Sequence, residues 1–334
     1  MSTTERTTQE SPHKRGEMVD VFADDARHGA ATTNPVGFEI ARLADEHEDV
    51  VALSADMSAV LADLRSRHPD RYVELGIAET NTVSAAAGMA ACGLRPYVLS
   101  MAPFGVLKCA EQLRTDVAYT MLPVRFVGRL SGLAMGFFGT SHHAVEDVAI
   151  ARSITNLTVV AAADSNATAG LLRSTFDAPG PVYYRISEHT QPVYSAPPVF
   201  THGRWVRVRE GGDATVIGHG IGVGLALAAA QDLAAEGIEV AVLDAAYLKP
   251  FDRDAIAEAG HETGALVTVE EHSEVGGLGS LVAEELGRQR LDCALSTLAL
   301  PDEDLAVGVP ADLHKHYRLT ADEVAGRVRA LLGA

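Results

Sequence analysis

Cysteine is scarce in this chain. Its 334 residues hold three, Cys92, Cys109 and Cys293, without metal-type spacing and too few for a disulfide framework. A reducing compartment, the cytoplasm, is the expected setting. Basic residues are outnumbered, with 27 Lys and Arg against 45 Asp and Glu, for a net charge of −18. Nucleic-acid backbones need a basic face, so this balance argues against a nucleic-acid partner. An acidic surface favours solubility and names no partner. Long apolar runs are missing as well: none would span a bilayer without charges or glycines, and no membrane partner is expected. The polar N-terminus lacks the apolar segment of a secretory leader.

What is present is an ordinary globular composition, 47% hydrophobic and 22% charged, in a chain long enough for two domains. Residues 1–16 are polar with almost nothing to bury, which predicts a disordered tail. From residue 17 to 191 short β-rich runs alternate with Ala-rich helical segments. Asp49–Leu53, Pro123–Val127 and Leu157–Ala161 read as strands; Ser84–Ala91, Lys108–Ala118 and Ala167–Phe176 read as helices. Apolar strands separated by helices predict an α/β fold with a mostly parallel sheet covered on both faces. Pro192, Pro197 and Pro198 mark a linker over 192–204. A second α/β domain, 205–334, repeats the pattern with strands at 214–217, 239–243 and 266–269 and helices at 222–236, from 281 and from 321.

One acidic residue carries the most information. Glu79 lies in Val73-Glu74-Leu75-Gly76-Ile77-Ala78-Glu79-Thr80-Asn81, followed by an Ala-rich stretch through Gly88 to Gly93-Leu94-Arg95-Pro96. Downstream come Cys109-Ala110-Glu111-Gln112-Leu113-Arg114-Thr115-Asp116, then His142 with Glu146-Asp147-Val148-Ala149, then Val269-Glu270-Glu271-His272 leading into Gly276-Gly277-Leu278-Gly279. Each is weak alone; in this order they resemble the pyrimidine-binding and C-terminal domains of the transketolase family of thiamine diphosphate enzymes, over nearly all residues after the tail. The family's Gly-Asp-Gly…Asn motif, which holds Mg²⁺ and the diphosphate, is absent. The resemblance is therefore to the C-terminal subunit of a split transketolase. It implies thiamine diphosphate as cofactor, with Mg²⁺ held mainly by an N-terminal partner subunit, in an α₂β₂ assembly.

The resemblance also assigns roles. Glu79 would hydrogen-bond N1′ of the aminopyrimidine; read alone, it is a helix-start carboxylate favoured by the dipole. A strand ending at Ile77 and a helix starting near Thr80 would place it at a shielded junction, with Ile77 beside the cofactor. Phe104 falls on an aromatic position that stacks on the pyrimidine, although a core role is the commoner fate of any one Phe. His142 matches a histidine that moves protons at the substrate carbonyl, and His143 follows where glutamine is usual. Gly88 and Gly93 read as close helix packing and a turn.

Several substrate positions depart from the sugar-phosphate pattern. Thr33 replaces an arginine, Val60 a serine, Leu130 a histidine, and Phe137-Phe138 a Glu-Asp pair. Glu188 replaces the phosphate-reading arginine, with Arg185 retained just before it. Phosphate needs paired positive charge, so a non-phosphorylated donor or acceptor is expected, with Phe137 and Phe138 favouring an apolar ligand or Glu188 pairing a cationic one. Three activities stay open: ketol or acyl transfer, decarboxylating transfer like that of 1-deoxyxylulose 5-phosphate synthase or the β-chain of 2-oxoacid dehydrogenases, and a non-catalytic regulatory subunit. Retention of Glu79, Phe104 and His142 together argues against the last.

Overall fold

The β-rich runs of the first half become strands, most with side chains buried on both faces and the short one at 72–74 half-exposed. The structure, a computed structural model, describes residues 35–188 and 190–333; the expected tail and Thr33 lie outside them. The first half runs α1 (Pro35–Glu46), β1 (Val50–Ser54), α2 (Ala62–Arg67), β2 (Tyr72–Glu74), α3 (Glu79–Ala91), β3 (Arg95–Met101), α4 (Ala102–Val106), α5 (Ala110–Gln112), β4 (Arg125–Arg129), α6 (Asp147–Ser153), β5 (Thr158–Ala162), α7 (Ser165–Ser174) and β6 (Val182–Ile186). The second half runs β7 (Val206–Arg209), β8 (Ala214–Gly218), α8 (Ile221–Ala234), β9 (Val240–Asp244), β10 (Tyr247–Lys249), α9 (Arg253–Thr263), β11 (Ala265–Ser273), α10 (Leu278–Gln289), β12 (Ala294–Leu300), α11 (Pro310–His316) and α12 (Ala321–Leu332).

Two sheets result, in the orders β10-β5-β6-β4-β3-β1-β2 and β12-β11-β8-β9-β7. All pairings are parallel except those of β10 with β5 and β7 with β9. The expected α/β fold with two mostly parallel sheets flanked by helices is therefore what forms. Parallel order brings the carboxyl ends of β1, β2, β3, β4 and β6 to one rim, where ligands of open α/β sheets bind.

Some expectations shift. The strand expected to end at Ile77 stops at Glu74, because the Glu74 carboxylate accepts from the amides of Asp56 (3.0 Å) and Gly76 (2.8 Å) and turns the chain out of the sheet. Gly76, at φ +69°, supplies the left-handed backbone for that turn. The helix expected over 108–118 is interrupted: α5 runs into a π-helical turn at Leu113–Ala118, a feature that often accompanies functional sites. Gly93 turns at φ +93° as expected. Gly88 does not mediate close packing within this chain, since a Cβ there meets no atom within 4 Å.

The two halves are stitched together. β10, from the second half, extends the first sheet by pairing Tyr247 with Val160 and Lys249 with Val159, which covers an edge that would otherwise expose unpaired backbone. The linker is tied down as well: Asp164 caps α7 through Ala167 N (2.7 Å) and also accepts from the amides of Val193 (2.7 Å) and Tyr194 (2.8 Å). Tyr194 then donates its hydroxyl to Asp244 in β9 at 2.7 Å. One large apolar core runs through both halves. A second, small core of Leu133, Val145, Leu300, Leu305 and Leu313 lies where they meet.

Candidate active site

Glu79 is the first residue of α3, where the helix dipole favours an anion. It is 4% exposed, which would be costly for an unpaired carboxylate. Its one hydrogen-bond partner among the described residues is Lys108, whose Nζ lies 2.7 Å from Oε2. That bond raises the Lys108 ammonium pKa above its ordinary value, against a smaller opposing effect of burial. Lys108 is half-exposed, so the pair is open to solvent on one side, and Oε1 has no protein partner among the described residues.

Phe104 comes from α4, which starts immediately after β3. Its half-buried ring meets the His142 ring edge-on at 5.1 Å. On its other side His142 is stacked by Phe138 at 4.6 Å and 30°, and Phe138 in turn packs on Phe137 at 4.7 Å. Ser141 Oγ lies 2.9 Å from His142 Nδ1. Burial, and secondarily the neighbouring His143, lower the His142 pKa, so near neutral pH the ring is uncharged and has both a donor and an acceptor nitrogen. Phe138 is 56% exposed: a flat apolar surface stands beside the histidine.

The remaining positions divide. Ile77 is 76% exposed, on the loop leading into α3. His143 is buried, with Nε2 3.4 Å from the Gly136 carbonyl oxygen, so it faces the interior of its loop. Leu130 is buried at φ +57°, an uncommon backbone for a leucine, and Val60 is buried. Glu188 is not a bare negative charge. Its Oε1 accepts from Arg129 at 2.6 Å (Nη2) and 3.1 Å (Nε), and both side chains are largely buried. Arg129 ends β4, next to β6, and sequence reasoning missed it; its place just before Leu130 was the available signal. Arg185 is not free to read a phosphate. It is 1% exposed, with Nε 3.0 Å from Asp147 Oδ2 and Nη2 bonded to the carbonyls of Ala144 (3.1 Å) and Glu271 (2.8 Å). Burial pushes the Asp147 carboxyl up, but Arg185, then His272 and the Tyr183 hydroxyl, together outweigh it and hold its pKa low.

A buried carboxylate with one uncommitted oxygen, at the rim of a parallel sheet and paired with a lysine four residues after an aromatic ring on the chain, suits a flat heterocycle with a protonatable ring nitrogen. The residues therefore fit the aminopyrimidine of thiamine diphosphate. Among the described residues no group of three or more His, Cys, Asp or Glu is arranged to hold a metal ion.

The fold is thus that of a two-domain α/β protein, with a buried carboxylate, Glu79, at the rim of its first sheet and a partly exposed Phe104–His142–Phe138 cluster on the same domain. Residues 28–192 match the transketolase pyrimidine binding domain and residues 203–324 the transketolase C-terminal domain. The chain is 35% identical over 286 residues to a subunit of the apulose-4-phosphate transketolase of Phocaeicola vulgatus, covering 84% of this chain and 91% of that one. It is 36% identical over 284 residues to the SqwH subunit of the 6-deoxy-6-sulfo-D-fructose transketolase of a Clostridium species, covering 84% and 88%. A solved split gene transketolase, described as an inactive β4 tetramer, superposes with a TM-score of 0.84 at 35% identity, covering 91% of this chain and 99% of that one. The chain belongs to the transketolase family, transferases that use thiamine diphosphate.

Proposed function

We propose that this chain is the pyrimidine-binding subunit of a two-chain transketolase that moves a ketol or acyl unit from a ketone or 2-oxoacid donor to an aldehyde or ketone acceptor. The observation that carries this reading is Glu79: nearly dry, at a helix start, with Oε1 uncommitted. Bound thiamine diphosphate supplies the electron sink for cleaving a bond next to a carbonyl. Glu79 exchanges a proton with N1′ of its ring, in a site dry enough to favour that exchange. Phe104 offers a flat wall for the same ring. His142, uncharged near neutral pH, gives or takes a proton at the substrate carbonyl oxygen. Mg²⁺ and the diphosphate are held by the partner subunit, in an α₂β₂ complex in the cytoplasm. Two relatives named as subunits and covered over most of their length support the two-chain reading.

The substrate is proposed to lack a phosphate. The exposed Phe138 ring beside His142 supports this, as does the commitment of Arg129 to Glu188, which occupies the described arginine at that strand end. Because Arg129 already balances it, Glu188 repels a phosphate less than a bare carboxylate would, and the case for a cationic ligand loses its ground. The names of the two relatives carry a phosphate and a sulfonate, so specificity is a matter for direct test. The decisive experiment is Glu79→Gln in the complex reconstituted with its partner and thiamine diphosphate: undiminished turnover would reject the catalytic assignment. For the substrate, Phe138→Asp and Glu188→Arg are compared on a phosphorylated ketose; no gain in its use would count against phosphate exclusion by these positions.

A further inference from the structure

The loop that carries His142 leaves and rejoins the first domain through one narrow neck. Gly132 and Ala144 pair as an isolated antiparallel bridge, N–H to O at 3.0 and 2.9 Å in the two directions. The neck is gripped by a carboxylate from the other domain. Glu271 of β11, 3% exposed, accepts from Leu133 N at 3.1 Å and contacts His314 Nε2 of α11 at 2.6 Å, both through Oε1. Its Oε2 presses on Gly132 so closely that a Cβ there would lie 1.9 Å away. Farther out, the same second-domain segment lines the loop. Gly308 N donates to Gly136 O at 3.2 Å. Leu313 fills the space a Cβ on Gly136 would need, and Val307 that of Gly139. Leu133 and Val145 at the loop ends are buried in the small core built with Leu300, Leu305 and Leu313.

We infer that Glu271 and His314 are positioning residues for His142: the second domain clamps the neck of the histidine loop and so sets where that ring stands between Phe104 and Phe138. A carboxylate with two donors on one oxygen fixes the neck in a single geometry, and the second donor belongs to an element 43 residues farther along the chain. Catalytic geometry tolerates little displacement; a shift of about 1 Å costs on the order of a hundredfold in rate. The catalytic consequence rests on the proton-transfer role proposed for His142; the clamp itself does not.

The test uses the full chain and needs no substrate. His314→Leu removes the second donor, and His314→Gln keeps a side-chain N–H in nearly the same place. Amide hydrogen exchange of residues 132–145 is expected to quicken roughly tenfold or more in His314→Leu, with α3 and the central strands unchanged and His314→Gln close to wild type. In the same variant the His142 ring, followed by NMR, is expected to titrate closer to the ordinary histidine value of about 6.5. Unchanged exchange in the loop would overturn the inference. So would acceleration spread evenly over α3 and the sheet, or a Gln variant as loose as the Leu variant. His142→Ala, assayed in the reconstituted complex, decides the proton-transfer role separately: full turnover there would reject that role and leave the clamp standing.

Discussion

The two sides of the site are held in different ways. Glu79 stands on elements of the first domain alone: the turn after β2, the start of α3, and Lys108 just beyond α4. His142 stands on a loop that depends on two domains, through Glu271, Leu313 and His314. The carboxylate side is half open, paired with a lysine that solvent reaches, whereas the base of the histidine loop is buried and doubly anchored. The roles proposed for Glu79 and His142 thus rest on separable parts of the structure, and disturbing the second domain should affect the role proposed for His142 first.

Breaking the Glu79 side should have the largest effect on activity. Glu79→Gln should lower turnover of the reconstituted complex by about 10²–10⁴-fold, while hydrogen exchange in 132–145 stays at the wild-type rate. Breaking the clamp sterically should have the largest effect on stability. Gly132→Ala combines a left-handed φ of +67° with a collision against Glu271, and a loss of about 2–4 kcal/mol in urea unfolding is expected; an Ala variant as stable as wild type would show that Glu271 yields easily.

The domain seam should show a pH signature. Burial raises the Asp244 carboxyl pKa to about 7; the Tyr194 hydroxyl opposes the rise, and nearby Asp164 adds a smaller push in the same direction as burial. Between about pH 4 and 7 the folded state then holds a proton that the unfolded chain has lost, so the contribution of this group to stability is full below that window and declines through it. Asp244→Asn should flatten the decline; thermal melts across the window measure it. The smallest effect is expected at Lys108. Lys108 is half-exposed but its partner Glu79 is nearly buried, so Lys108→Met leaves that carboxylate to the helix start and the solvent on its open side, and the melting temperature should fall by a few degrees. Because the lysine occupies Oε2, its removal should leave thiamine diphosphate affinity of the complex unchanged or improved, and a tenfold loss by calorimetry would instead make Lys108 part of the cofactor site.

Much of this was legible in the residues because it is local. Apolar runs alternating with Ala-rich helices predicted the parallel sheets, with some boundaries off by a residue or two and others by three to five, as where β11 runs on to Ser273 and α3 starts at Glu79. The stretch around Glu79 carried the family resemblance, and its place at a helix start was legible because a turn and that start lie within a few positions of each other. What was misread depends on distant partners. Glu188 looked like an unbalanced charge because Arg129, its partner, is 59 residues away. Arg185 could be seen to be retained, but not that Asp147 and carbonyls of other elements hold it.

By itself, then, the sequence determined the fold class and the family and singled out Glu79, Phe104 and His142 as candidates, since hydrophobic periodicity and short motifs act over a few residues. Only the tertiary structure decided that β10 crosses into the first sheet, that Arg129 neutralises Glu188, and that Glu271 reaches back 138 positions to Leu133 to hold the histidine loop. Contacts at such separations follow from how whole sheets and helices pack, and each forms only once the elements on both sides are already in place.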